Sequence, residues 1–185
     1  MSDNSSLSPQ LEGLLIDSVR EMSAYHVQDA SGMLKLDAME NPFSLSPELQ
    51  KQLGDRLGAL ALNRYPGDRT NVLRAQLAQY AQMPEGFDIM LGNGSDELIT
   101  LISVACDVPG ASFLAPLPGF VMYAMSAQLQ GVQFHGVPLT ANFELDEAAM
   151  LSAIASHKPA VVYLAYPNNP TGTLWNADAI ERIVV

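Results

Sequence analysis

Two short segments of the sequence carry residues whose types and spacing suit the binding of a small anionic ligand. The first, Gly92–Glu97, reads Gly-Asn-Gly-Ser-Asp-Glu and lies where a strand pattern gives way to a helix pattern. Glycines let the backbone turn sharply and approach a ligand closely, and free amides at a helix start attract phosphate. Ser95 could cap this helix, with the amides of residues 95–97 facing outward. We expect a phosphate cradle here; an ordinary glycine-rich turn is the alternative.

The second segment, Tyr166–Gly172, reads Tyr-Pro-Asn-Asn-Pro-Thr-Gly and directly follows an apolar strand pattern. Ligands of open α/β sheets bind at the carboxyl ends of strands, so this position suits a site. The two prolines restrict the loop and could hold the Asn169 amide as a rigid hydrogen-bond donor. Taken alone, the segment could also be a simple turn.

Helical and strand periodicities alternate along most of the chain. This alternation puts each of the two segments directly after a predicted strand. Short apolar strands that alternate with helices are typical of βαβ units with a largely parallel sheet. The predicted helices span residues 10–20, 46–57, 70–83, 96–106, 121–130 and 146–157, with another from 175 onward, and the predicted strands span 34–36, 87–91, 112–115, 132–137 and 160–165.

The N-terminal part of the chain has weaker patterning than the rest. We therefore predict an N-terminal arm and small-domain contribution over residues 1–45, followed by the first part of a large domain over residues 46–185. Residues 179–185 stop within a helix pattern, without a cap or a closing strand. We expect the large domain to be incomplete at its C-terminus.

Composition excludes several classes of function. The formal net charge of −11 argues against nucleic acid as a partner, since phosphate backbones need clustered Lys and Arg. No apolar run is long enough to span a membrane, and the first 20 residues lack a secretory signal. The single cysteine, Cys106, suits a reducing compartment, so we expect a cytoplasmic protein. His26, His135 and His157 lack metal-ligand spacing, and we expect no metal site.

The two segments, in this order, resemble the fold-type-I aminotransferases that use pyridoxal 5′-phosphate. Within that family, Leu36–Pro42, Asn63–Pro66 and Gly92–Glu97 resemble the pattern of the histidinol-phosphate aminotransferases, and the likeness runs collinearly from about residue 34 to the end. The resemblance implies an α/β fold, namely a three-layer, aspartate-aminotransferase-like large domain with a mostly parallel central sheet. It also implies pyridoxal 5′-phosphate as the cofactor.

The resemblance further implies roles for residues that would hold the cofactor. The amides around Gly94, Ser95 and Asp96 would bind its phosphate. Phe120 matches the aromatic residue that stacks on the pyridine ring, although it could also be an ordinary core residue. Asn169 would donate its side-chain amide to the phenolic oxygen, which helps to hold that oxygen as a phenolate.

Three further residues are assigned to contacts at the edge of the site. Tyr65 matches a tyrosine that reaches the cofactor phosphate of the other subunit, which implies a homodimer. Without the resemblance, Tyr65 would be read as a turn residue before Pro66. Glu40 and Asn41 match the segment that lines the substrate pocket.

The chain offers no lysine in the setting that the family uses to attach its cofactor. Lys35, Lys51 and Lys158 all lack the family's Ser/Thr–Lys context. We therefore expect the Schiff-base lysine to lie beyond Val185, so that the chain contains no catalytic residue and is inactive alone.

The resemblance implies amino transfer between L-histidinol phosphate and 2-oxoglutarate, with glutamate as the other partner of the exchange, in histidine biosynthesis. Two alternatives stay open. One is another enzyme of the same fold, either an aromatic aminotransferase or a threonine-phosphate decarboxylase. The other is a non-catalytic phosphate-binding module, if the chain is complete.

Overall fold

The structure, a computed structural model, describes residues 13–20, 22, 29, 31–34 and 40–185. The chain divides into two compact units, one formed by Ala24–Leu91 (the helical unit) and one by Met1–Ser23 with Gly92–Val185 (the sheet unit). Among the described helices, none is both long and apolar enough to cross a bilayer. In chain order, the elements are α1 (Asp17–Arg20), α2 (Pro47–Gly58), α3 (Arg69–Tyr80), α4 (Gly94–Ala105), β1 (Ser112–Leu117), α5 (Val121–Gln130), β2 (Gln133–Pro138), α6 (Glu147–His157), β3 (Val161–Val162) and α7 (Ala177–Val184).

The helical unit owes its first described helix, α2, to local signals in the sequence. Ser46 Oγ accepts a hydrogen bond from the Leu49 amide at 3.3 Å, and Pro47 occupies the first turn. Both features favour a helix start, and the predicted helix over residues 46–57 is confirmed. Helix α3 ends at Tyr80, earlier than predicted, because Gln82 adopts a left-handed φ of 50°.

The strand predicted at residues 87–91 is wrong. In the described part of the helical unit, this segment pairs with no strand. Instead, Arg74 Nε donates to the Ile89 carbonyl oxygen at 2.8 Å, and the Arg74 guanidinium forms an ion pair with Asp88. A strand needs a neighbouring strand for its backbone groups, and here a side chain serves one of them instead.

The sheet unit contains a three-stranded parallel sheet in the order β2-β1-β3. The predicted parallel α/β arrangement is therefore confirmed. Ser112 lies opposite Gln133 in the β1–β2 pair, while Phe113 lies opposite Val161 in the β1–β3 pair. Strand β3 is shorter than the predicted 160–165, although the Tyr163 amide still donates to the Leu114 carbonyl oxygen at 2.8 Å.

Helices cover both faces of this sheet, which makes the unit three-layered. Successive side chains of a strand point to opposite faces, and the central strand β1 is buried on both. Phe113 packs in a cluster with Ile99 of α4 and Ala127 of α5, whereas Leu114 packs with Met150 of α6. The three-layer prediction is confirmed for this unit.

Most remaining boundaries agree with the sequence to within about two residues. Helix α5 spans the predicted residues 121–130, and α4 begins two residues earlier than predicted. Of the helix predicted over 10–20, the described residues are helical only in Asp17–Arg20. The extended piece predicted at 34–36 lies mostly outside the described residues. The division predicted at residue 45 stays a prediction.

Candidate ligand-binding site

The start of helix α4 forms a tight turn with free backbone donors. Gly94 has a φ of +80°, a conformation that favours glycine. Glu97 Oε2 accepts a hydrogen bond from the Asn93 amide at 2.5 Å, and this bond closes the turn. The expected Ser95 cap is not formed, since Ser95 lies within the first turn and its hydroxyl lies 3.4 Å from Asp96 Oδ1.

This turn can receive an anion. The first amides of a helix have no carbonyl partner within the helix, and the helix dipole places positive charge at this end. Because Glu97 is engaged with Asn93, it leaves the amides of residues 94–96 to other acceptors. The geometry therefore suits the phosphate cradle predicted from Gly94, Ser95 and Asp96, and that role stays a prediction.

The loop that follows β3 is organised around Asn168, which is only 1% exposed. Its side-chain nitrogen donates to the Pro118 carbonyl oxygen at 3.1 Å and to Thr171 Oγ1 at 2.9 Å. Its neighbour, Asn169, is half-buried, and its side chain makes no hydrogen bond with the part of the chain that the structure describes. The Asn169 amide is thus available to a ligand.

Phe120 lies directly after the carboxyl end of β1, at the start of α5, and is half-buried. Its ring meets Tyr123 edge-on, with centroids 5.6 Å apart, and Tyr123 stacks on Tyr163 at 4.3 Å. Burial raises the pKa of both tyrosines, which keeps their hydroxyls protonated. Phe120 therefore has a rigid support and an exposed portion, a combination compatible with either core packing or ligand stacking.

The structure brings together the loops after β1 and β3. Because these parallel strands end at the same edge of the sheet, Pro118 and Asn168 meet through the hydrogen bond described above. Phe120 also packs against the cluster that contains Ile99 of α4. The convergence of the Gly92–Glu97 turn on Asn169 stays a prediction.

The three remaining predicted site residues lie in the helical unit. Tyr65 is 98% exposed, in a turn between α2 and α3. Asn41 Oδ1 accepts a hydrogen bond from the Phe43 amide at 3.0 Å, and Glu40 is exposed. Their predicted roles, towards a second subunit and a substrate, stay predictions.

Neither described lysine follows the carboxyl end of a strand in the chain. Lys51 is on α2 in the helical unit and forms an ion pair with Asp55 at 2.7 Å. Lys158 follows α6 and precedes β3, so it lies at the amino end of that strand, opposite the Asn168 loop. Lys35 is outside the described residues. In the same described part of the chain, no group of three or more His, Cys, Asp or Glu side chains could hold a metal ion.

Asn168 is the residue of the candidate site that sequence reasoning missed. The prediction singled out Asn169 and gave its neighbour no role. A usable signal was present, since an asparagine three residues before a threonine can bond that hydroxyl and close a turn. The bond to Pro118 had no such local signal, because its partner lies 50 residues away.

Comparison with known proteins defines the class of protein. Residues 31–185 match the family model of aminotransferase class I and II. The chain belongs to this family.

Two curated relatives are similar over nearly the whole chain. The histidinol-phosphate aminotransferase of Polaromonas naphthalenivorans is 68% identical over 181 residues, which cover 98% of this chain and 50% of that protein. The histidinol-phosphate aminotransferase of Methylibium petroleiphilum is 63% identical over 178 residues, which cover 96% of this chain and 48% of that protein. The chain thus spans about half the length of the curated relatives that it matches.

Solved structures share the fold. The histidinol-phosphate aminotransferase of Sinorhizobium meliloti, in complex with pyridoxal-5′-phosphate, superimposes with a TM-score of 0.73 at 21% identity, covering 100% of this chain and 48% of that one. The histidinol-phosphate aminotransferase of Clostridium acetobutylicum superimposes with a TM-score of 0.68 at 23% identity, covering 82% of this chain and 43% of that one. At these identities, the likeness establishes the aminotransferase fold.

Proposed function

We propose that the chain is part of a pyridoxal 5′-phosphate-dependent aminotransferase that moves an amino group between L-histidinol phosphate and 2-oxoglutarate, in histidine biosynthesis. One observation carries the proposal, namely the 68% identity, over 98% of the chain, to a protein named histidinol-phosphate aminotransferase. The geometry of the sheet unit supports the same reaction through the donors at the start of α4 and in the loop after β3.

The residues present fit a flat, phosphorylated cofactor. The free amides of Gly94, Ser95 and Asp96 would donate to its phosphate at the positive end of the α4 dipole. Phe120 would support one face of its ring, held in turn by Tyr123. The half-buried Asn169 amide, which lacks a partner in the described chain, would donate to the phenolic oxygen on the ring.

Pyridoxal phosphate, when bound, supplies an electron sink for the carbon that exchanges its amino group. The chain's own residues bind and orient this group. Asn169 would stabilise negative charge on the phenolic oxygen, since a donated hydrogen bond favours the charged form. Glu40 and Asn41 would line the substrate pocket. The proposal assigns the lysine that attaches the cofactor to a position beyond Val185.

We further propose a cytoplasmic homodimer. Tyr65 supports the dimer, because a tyrosine that is 98% exposed in the loop between α2 and α3 presents its hydroxyl to any partner at that surface. In the dimer, that hydroxyl would reach the cofactor phosphate of the other subunit.

The test uses the full-length protein that contains this chain, with 2-oxoglutarate as amino acceptor. We expect kcat/KM for L-histidinol phosphate to exceed that for L-phenylalanine by about 100-fold or more, since a site that binds a phosphate leaves its donors unpaired with the smaller substrate. A preference for phenylalanine would overturn the substrate, and the absence of cofactor absorbance from the purified protein would overturn the whole proposal.

The Asn169→Ala variant tests the site itself. Removing a hydrogen bond to a charged oxygen costs about 1.5–3 kcal/mol, so kcat/KM should fall by roughly 10- to 100-fold and the pKa of the cofactor chromophore should rise. Asn142→Ala, an exposed position in the turn after β2, is the matched control and should leave both values unchanged. An unchanged chromophore pKa in Asn169→Ala would refute the assignment of this residue.

A further inference from the structure

The loop after β3 is closed by Asn168 through its backbone as well as its side chain. The Asn168 amide donates to the Thr173 carbonyl oxygen at 2.9 Å, and its own carbonyl oxygen accepts from the Gly172 amide at 2.8 Å. With the side-chain bond to Thr171 Oγ1, these contacts hold residues 168–173 as one compact turn. Asn169 projects from this turn immediately beside its anchor.

One hydrogen bond of Asn168 leaves this turn. Its side-chain nitrogen reaches the Pro118 carbonyl oxygen, at 3.1 Å, in the loop after β1. That second loop is also tight, since a Cβ added at Gly119 would lie 2.5 Å from the Pro116 carbonyl oxygen. A buried amide that donates to a backbone carbonyl thus joins two turns that each have little freedom of their own.

The joined turns carry two of the proposed cofactor contacts. Phe120 is two residues beyond Pro118, and Asn169 is one residue beyond Asn168. Neither Pro118 nor Asn168 needs to touch a ligand for their bond to matter. Their hydrogen bond fixes the distance between the ring support and the amide donor, and a site gains from contacts that are held in place before the ligand arrives.

We propose that Asn168 is a positioning residue: its buried amide, by bridging the turns after β1 and β3, aims the Asn169 amide relative to the Phe120 ring. This inference rests on the proposed function for the identity of the ligand. The bridge between the two turns stands on the geometry of the chain alone.

The first experiment measures the bridge without any cofactor. Asn168→Asp retains the side-chain shape and the backbone bonds but replaces the donor by an oxygen that faces the Pro118 carbonyl. In the apo form of the full-length protein, we expect hydrogen exchange of the Tyr123 amide, which donates to the Phe120 carbonyl oxygen at 3.2 Å, to quicken by about tenfold, the change that corresponds to about 1.4 kcal/mol. Asn176→Asp makes the same change at the α7 cap, where the side chain only accepts, and should leave this exchange unaltered.

A third variant separates the bridge from the closure of the Asn168 turn. Thr171→Val removes the Thr171 hydroxyl, and with it the contacts to Asn168 and Thr173 within that turn, but retains the bond to Pro118. It should quicken exchange in residues 168–173 and leave exchange of the Tyr123 amide unaffected. If Asn168→Asp leaves the Tyr123 amide as protected as in the wild type, the bridge is refuted, whatever the protein catalyses. Should Asn168→Asp fail to fold, Asn168→Ala gives the same readout without the added charge.

The second experiment measures positioning in the holoenzyme. Asn168→Ala, which removes the bridging amide without adding a charge, should lower kcat/KM by about tenfold and raise the pKa of the cofactor chromophore in the direction expected for Asn169→Ala. The double variant Asn168→Ala/Asn169→Ala should match Asn169→Ala alone, because both changes act through one amide. Additive losses, or a lower melting temperature with an unchanged chromophore pKa, would overturn the positioning role. If the purified wild-type protein shows no cofactor absorbance at all, the proposed function is refuted instead.

Discussion

Helices α2 and α3 of the helical unit and helix α4 of the sheet unit are each 12 residues long, yet they differ in burial. Neither α2 nor α3 contains a buried residue, whereas α4 buries Ile99 and Ser103. The sheet unit also contains every side chain of the two core clusters. Similar local sequence signals therefore produce helices in both units, but among the described residues only the helices of the sheet unit pack against a buried core.

The contrast between the units shows that local sequence is enough to form a helix, whereas burial of its side chains requires packing against other elements. Along α2 and the residue before its cap, four leucines at four-residue spacing are each between 46% and 51% exposed, namely Leu45, Leu49, Leu53 and Leu57. Their spacing gives the helix one apolar face without burying it. In the sheet unit, the central strand buries both of its faces, and the loops that carry the candidate site are fixed at its end. Packing of the sheet unit, and not local sequence alone, therefore fixes the position of the hydrogen-bond donors in these loops.

The largest expected effect compares the same substitution in the two units. Leu114→Ala on β1, where the side chain is fully buried, should lower the free energy of unfolding by about 2–5 kcal/mol. Leu53→Ala on α2, where the side chain is 46% exposed, should lower it by less than about 1 kcal/mol. Urea unfolding followed by circular dichroism would measure both, with the fluorescence of Trp175 reporting on the sheet unit. Equal losses of unfolding free energy in the two variants would show that the α2 leucines are buried in solution. The contrast in burial between the two units would then be wrong.

A second comparison concerns the contacts of one side chain, Arg74, within the helical unit. Arg74 ties α3 to residues 88–89, and its side chain is 35% exposed. Arg74→Met should destabilise this segment by about 1–2 kcal/mol, because the Ile89 carbonyl loses a charged donor. Hydrogen exchange of the amides in residues 88–91 would measure the loss. Arg56→Met on the exposed α2 is the matched control, and equal exchange in both variants would contradict the role of Arg74.

The fold was predictable where the determining residues are neighbours in the sequence. Helix α5 has its predicted bounds because Gly131, with a φ of +72°, can end it in the left-handed conformation. Helix α7 begins where Asn176 accepts a hydrogen bond from the Ala179 amide at 3.1 Å. Such caps act over three or four residues, and their residue types are visible in any window of that size.

The errors fall where the deciding partner is distant. Residues 87–91 have the composition of a strand, but strand formation also needs a neighbour, which a local pattern does not reveal. The candidate site shows the same limit. Asn169 was singled out by its motif, whereas Asn168 has its decisive partner, Pro118, 50 residues earlier in the chain. Topology brings them together at the ends of β1 and β3, and only then does the role of Asn168 become visible.

The smallest expected effect is a pH dependence confined to the sheet unit. His135 on β2 stacks on His157 at 3.7 Å, and burial, followed by the charge of His157, lowers the pKa of His135 below its ordinary value of 6.5. The folded chain therefore binds a proton here less readily than the unfolded chain. The resulting stability is fully present above about pH 6.5 and is lost as the pH falls towards the lower folded value.

The substitution His135→Gln should remove this part of the pH dependence. Urea midpoints at about pH 8 and about pH 5 should differ less in this variant than in the wild type. His157→Gln is the informative control, because it removes only the second cause, the neighbouring charge, and leaves the burial of His135 in place. It should retain a reduced pH dependence that lies between those of the wild type and of His135→Gln. If His157→Gln instead abolishes the dependence, the charge of the stacked partner outweighs burial, and the order of the two causes is reversed.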